Sequence, residues 1–135
     1  MYAKKITYTD YDGNERTETF YFNLNKAELT EMELSSEGGL SKMIQKIVDE
    51  QDSTRIIAIF KDIILRSYGE KSNDGKRFIK KAADGHMLAD DFAQTEAYSE
   101  LFMELATNAD AASDFVNNIV PQMPNEQPKI APPAK

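Results

Sequence analysis

The strongest hydrophobic pattern in the chain lies between Ser53 and Gly69, STRIIAIFKDIILRSYG. Ile56, Ile59, Phe60, Ile63 and Ile64 recur at i, i+3, i+4, i+7 and i+8, the stripe of a helix facing a core. Ile57 and Tyr68 widen the stripe to roughly half the circumference at ~100° per residue. Arg55, Lys61, Asp62 and Arg66 take the other side. A stripe this wide needs neighbours on more than one flank, so the spacing predicts the central helix of a small helical domain. Asp52 or Ser53 is placed to cap its start, and Gly69 to end it in the left-handed conformation.

A different period governs Lys4 to Asn23. Ile6 and Tyr8 alternate with Thr7 and Thr9, and Phe20 and Phe22 with Thr19 and Tyr21. This is a β-hairpin turning around Tyr11-Asp12-Gly13-Asn14. A two-residue Asp12-Gly13 turn would split the aromatics across two faces. A three-residue loop with Gly13 in the left-handed position puts Ile6, Tyr8, Phe20 and Phe22 on one face, and is preferred for that reason. A lone hairpin is marginal in water, so its aromatic face must rest on helices.

Helical periodicity resumes at Asn25, which can cap a helix while Glu28 reaches back to it, with Leu24 and Leu29 spaced as a hydrophobic staple. That helix runs to about Ser36 and stops at Gly38-Gly39. A second, Leu40 to Gln51, carries Leu40, Met43, Ile44, Ile47 and Val48 on one face. After Gly69, the stretch EKSNDGKR is a polar loop. Lys76 to Ala83 then reads as a short basic helix broken by Asp84-Gly85, and His86 to Ala93 as one or two turns. Thr95 to Thr107 is a helix with Tyr98, Leu101, Phe102 and Leu105 inward. Asn108 caps the last helix, whose stripe is Ala112, Phe115, Val116, Ile119 and Val120. All five prolines fall between Pro121 and Pro133, in a stretch without a core-forming pattern that is expected to be extended or disordered. The expected fold is α+β and mostly α: one domain over residues 1–120, with the hairpin at about 4–23 packed on five to six helices at about 25–120, and a Pro-rich tail at 121–135.

Length and composition bound the chemistry. A chain of 135 residues is one domain and can bury a core without staples. With no cysteine and one histidine, His86, it lacks a disulfide and a thiolate or multi-histidine metal site. No apolar run is long enough to span a bilayer, and the first residues lack the apolar centre of a secretory signal. The expectation is a soluble, cytoplasmic protein without cofactor or metal.

The net charge of −7 is unevenly placed. Fourteen acids balance fourteen bases up to Ala83, whereas Asp84 to Val120 holds eight acids and no Lys or Arg. That surface argues against nucleic acid, whose phosphates want basic partners, and suits a basic or apolar protein partner. The basic run Lys71, Lys76, Arg77, Lys80, Lys81 could pair with the acidic third within one chain, which is preferred, or head to tail between copies, which generates rings or filaments.

Motif fragments fail on inspection. Gly69 to Lys76 mimics a phosphate loop, but five residues separate its glycines and Arg77 stands where Ser or Thr is needed. Asp10, Asp12 and Asn14 open like a calcium loop, but Glu15 replaces the required glycine, and Asx residues in a turn explain them better. His86 reads as a surface or capping residue. Carboxylate pairs such as Asp90-Asp91, or Glu96 with Glu100, read as solvated faces. No catalytic constellation is present.

Three stretches carry a resemblance: FYFNLNKAELTEMELSSEGGL (Phe20 to Leu40), IIAIFKDIILRSYGEKSNDGKRFIK (Ile56 to Lys80) and FAQTEAYSELFMELATNADAASDFVNNIVP (Phe92 to Pro121). Together they resemble the tail assembly chaperones of bacteriophages with long, non-contractile tails, including prophages of low-GC Gram-positive bacteria. The likeness covers nearly the whole chain apart from the Pro-rich end. It implies a non-enzymatic role in the host cytoplasm: binding the tape measure protein, keeping it soluble, helping recruit tail tube subunits, and absence from the finished virion. It also implies that this chain is the short product of a frameshifted gene, the longer product diverging near the Pro-rich end. The alternative is a structural head–tail connector or minor tail protein retained in the particle.

A chaperone of this kind needs an apolar surface for a helical partner and a charged exterior. Met32, Met43, Met87 and Met103 are adaptable candidates, with ordinary core packing as the simpler account. The partner surface is placed on the acidic last two helices, at Glu96, Glu100, Met103 and Glu104.

Overall fold

Strands β1 (Tyr2–Thr9) and β2 (Glu15–Phe22) form an antiparallel hairpin in the register Tyr2↔Phe22, Ile6↔Glu18, Tyr8↔Arg16. The loop is the three-residue one: Asp10 N–H donates to the Asn14 carbonyl at 2.8 Å and Gly13 N–H to that of Asp10 at 3.0 Å. Gly13 takes φ 87°, a conformation that only glycine adopts at no cost. The Asp10 carboxylate accepts from the N–H groups of Asp12 and Asn14, both at 2.9 Å, and this is the role of the Asx residues that mimic a calcium loop. The Arg16 guanidinium, then the Asn14 N–H, hold the Asp10 carboxyl below the usual carboxylate range. The parity places Ile6 and Phe22 in the core, with Tyr2, Tyr8 and Phe20 half-buried beside them.

The computed structural model describes residues 1–35 and 53–120. Helix α1 (Lys26–Ser35) begins with the expected capping box: Asn25 N–H donates to Glu28 Oε1 at 2.9 Å, and Glu28 N–H to Asn25 Oδ1 at 2.8 Å. Leu24 and Leu29, the staple pair, are both buried. The Gly38-Gly39 stop, the expected helix Leu40 to Gln51 and the Pro-rich 121–135 lie outside the described residues.

Helix α2 (Ser53–Ser67) buries Phe60, Ile63 and Ile64, but Ile57 is 47% exposed, so the inward stripe is narrower than the sequence implied. Its end is also different. Gly69 does not close the helix in a left-handed turn; the chain enters strand β3 (Tyr68–Lys71) directly. The final carbonyls are taken by the helix's own last side chain and by two groups from elsewhere in the fold. Ser67 Oγ donates to Ile63 O at 2.8 Å, Asn23 N–H to Ser67 O at 2.7 Å, and Lys80 Nζ to Arg66 O at 2.8 Å. The Lys80 ammonium also reaches both Glu28 carboxylate oxygens at 2.8 Å, joining the start of α1 to the end of α2. Burial pulls the Lys80 ammonium below its ordinary range, and Glu28 opposes that shift.

The expected basic helix Lys76 to Ala83 is absent. Strand β4 (Phe78–Ile79) pairs with β3 through Glu70↔Ile79 and Lys71↔Phe78. Lys and Arg favour helix locally, but sheet pairing overrides that preference here. Ser72 and Asp74 fix the intervening turn: Asp74 Oδ1 accepts from Ser72 Oγ and Lys76 N–H, and Gly75 takes φ 76°. The result is a four-stranded antiparallel sheet in the order β1-β2-β3-β4, larger than the single hairpin expected.

Helix α3 (Leu88–Phe92) is short, and α4 (Glu96–Thr107) and α5 (Ala109–Ile119) follow; Thr95, expected inside the helix, instead caps α4 by accepting from Tyr98 N–H, and Asn108 caps α5 through Ala111 N–H as predicted. Phe92 sits at the centre: it stacks on Tyr68 with centroids 4.3 Å apart and meets Phe20 and Phe22 at 5.2 and 5.8 Å. Phe22 meets Phe115 of α5 at 5.2 Å. Burial pushes the Tyr68 hydroxyl up to about 12.

A Cβ on Gly69 would lie 2.6 Å from Phe78 Cε2 and 2.7 Å from the Ile79 carbonyl oxygen. Gly69→Ala is therefore expected to push β3 and β4 apart and cost about 1–3 kcal/mol, as overpacking does. A lower urea midpoint with an unchanged m-value checks it, and an unchanged midpoint would refute the packing argument.

Candidate partner-binding surface

The four residues expected to meet a partner all lie on α4, and the fold treats them differently. Ala97, Leu101 and Leu105 turn inward, so Glu96, Glu100, Met103 and Glu104 fall on or beside the outward face. Glu96 Oε2 accepts from the Tyr11 hydroxyl at 2.6 Å, tying α4 to the hairpin loop. That bond, first of all, raises the Tyr11 hydroxyl pKa. Glu104 Oε2 accepts from Lys4 Nζ at 3.1 Å. Glu100 is exposed and makes no ion pair with a described residue, and Met103 is 55% exposed. The outward surface thus centres on Glu100 and Met103, with Glu96 and Glu104 committed to holding β1 and its loop beside it.

A second candidate escaped the sequence reading. Between α2 and α3 lies a groove of about 500 Å³ with Ala58, Leu65, Met87 and Ala89 on its apolar walls and Lys61, Asp62, Arg66 and Asp90 also lining it. The exposed Ile57 directly precedes Ala58, and Met87 is 40% exposed. The excess width of the α2 stripe was the available signal: a helix apolar over half its circumference leaves some of that surface unmatched. Of the other candidate methionines, Met32 is buried in the core. Met43 lies outside the described residues.

His86 flanks the groove. Its Nδ1 lies 2.6 Å from Asp84 Oδ1 and its Nε2 2.7 Å from Asp91 Oδ2, so the ring clamps the Asp84-Gly85 turn to α3 next to Met87. The Asp91 hydrogen bond first, then that of Asp84, raise the imidazole from 6.5 to about 9. The basic and acidic surfaces do not pair within the chain as preferred above. Lys80 turns inward to Glu28, while Lys71, Lys76, Arg77 and Lys81 are exposed and form no ion pair with described residues of the acidic segment.

A family model described as phage tail assembly chaperone matches residues 1–130. The chain belongs to that family. No curated protein and no solved structure matches it. Both candidate surfaces of the chaperone, the α4 face and the α2–α3 groove, fall within the matched span.

The His86 clamp has a pH signature. Because its folded pKa is raised, its stabilising effect is complete below the ordinary value near 6.5 and is lost as pH rises through about 9. An NMR titration of the imidazole protons should give a midpoint well above 6.5, which Asp91→Asn should lower. A midpoint at the ordinary value would remove the clamp.

Proposed function

We propose that this chaperone acts by stoichiometric binding, without catalysis, in the host cytoplasm. It covers an apolar helical face of the tape measure protein, keeps that protein soluble, and helps bring tail tube subunits to it, in part through a longer frameshift product. The family match over residues 1–130 carries this reading. The exposed surfaces support it: a helix-in-groove contact needs apolar anchors bordered by charge, and both Met103 beside Glu100 and the Ala58–Leu65–Met87 groove have that character. The partner surface remains on α4, at Glu96, Glu100, Met103 and Glu104. Glu100 and Met103 are the direct contacts, and Glu96 and Glu104 shape the surface through Tyr11 and Lys4.

Glu100→Lys combined with Met103→Glu is expected to lower recovery of co-expressed tape measure protein about tenfold, equivalent to about 1.4 kcal/mol, with the circular dichroism spectrum unchanged. Undiminished recovery removes the α4 site, and Leu65→Glu then tests the groove. Mass spectrometry of purified virions should lack the chain. Its presence there would mark a structural component of the particle.

A further inference from the structure

Among the described residues, the outer edge of β2 is open over most of its length. Strand β3 pairs with β2 only at Tyr21↔Gly69 and Phe22↔Tyr68. Beyond Gly69 the two strands part around a hollow of about 380 Å³ between Glu18–Tyr21 and Tyr68–Lys71. Backbone groups alternate sides along a strand. Asn23 N–H, which bonds Ser67 O, and Tyr21, which pairs with Gly69, face β3. The N–H and C=O groups of Glu15, Thr17 and Thr19 therefore point to the same side, where no described strand meets them. Such an edge is a template for another strand.

We infer that this edge joins two copies of the chain through an antiparallel β2–β2 contact centred on Thr17, an assembly contact separate from the partner-binding surfaces. Charge complementarity selects the occupant and the register. Only registers that set odd residues opposite odd residues satisfy the open backbone groups. Centring the two-fold on Arg16 opposes two arginines, and centring it on Glu18 opposes two glutamates. Centring it on Thr17 sets Arg16 opposite Glu18 of the second copy, twice, in the closer, non-hydrogen-bonded type of pair.

The same register extends a row already present on the outer face. Thr7 and Thr17 Oγ1 atoms lie 2.8 Å apart within one chain, and the second copy continues the row as Thr17 and Thr7. In this register the second copy meets the open stretch from Glu15 to Thr19 and must turn away at its Gly13, because Gly69 of β3 already holds the place opposite Tyr21. Strand β1, an outer strand of the sheet, carries Lys4 and Lys5, the type of residue that blocks edge pairing.

The chain has no cysteine, so a single introduced one reports the contact. Paired residues in a hydrogen-bonded antiparallel position lie about 5.5 Å apart, within disulfide reach, whereas Thr7 would be three strand spacings, about 14 Å, from its mate. In the full chain, Thr17→Cys under mild oxidation should form a covalent dimer about tenfold faster than Thr7→Cys, on the basis of that spacing. Sedimentation velocity should show a concentration-dependent dimer that Arg16→Glu weakens. The double exchange Arg16→Glu/Glu18→Arg should restore it, because opposed signs across the two-fold return while the Asp10 contact stays lost. A monomer at every concentration overturns the inference. So does a dimer in which Thr17→Cys gains no advantage, or one that the double exchange fails to restore.

Discussion

The contact between Phe92 and Tyr68 holds the two halves of this molecule together. Their rings stack nearly parallel, 7° apart, Phe20 and Phe22 close around them, and Phe115 packs on Phe22. Two-stranded hairpins are marginal alone, and a five-residue helix such as α3 is too short to hold its own shape. Each gains stability by placing an aromatic ring in this cluster. Aromatic pairs contribute about 0.5–1.5 kcal/mol each beyond the area they bury, so several pairs in one place outweigh the local preferences of the flanking segments.

That weight explains the course of the chain after α2. For Tyr68 to lie flat on Phe92, residue 68 must leave the helix, and the next residue must pass close under Phe78. Gly69 meets that need through its missing side chain rather than through an unusual backbone angle. The carbonyls at the helix end are then taken by the helix's own Ser67 and by Asn23 and Lys80, which arrive from other parts of the sequence. Lys80, drawn inward to close that end and to meet Glu28, is subtracted from the basic surface.

In this tail assembly chaperone, the same core leaves the two candidate surfaces on the outside of rigid elements. The α4 face is fixed from behind by Leu101 and Leu105 and at its edges by Tyr11 and Lys4. The α2–α3 groove depends on His86 and its two carboxylates to hold Met87 beside α2. The proposed helical partner calls for adaptable apolar contacts on a firm base, and both candidate surfaces carry an exposed methionine on that base.

Whatever depends on near neighbours was legible in the sequence. The hairpin loop and its parity, the Asn25–Glu28 capping box, the Asn108 cap and the stripe of α5 follow from spacings of two to four residues, where sterics and local hydrogen bonds decide. The location of the acidic surface followed from charge alone. The tertiary structure decided the rest, because those choices rest on residues far apart in sequence. Within Lys76–Ala83, Phe78–Ile79 became strand since β3 offered an edge. Gly69 served packing since Phe78 lies against it, and Ile57 stayed outside since the core was already filled by Phe60, Ile63 and Ile64. Local rules assign each residue a preference, and only the assembled core can choose among preferences that differ by less than one buried ring is worth.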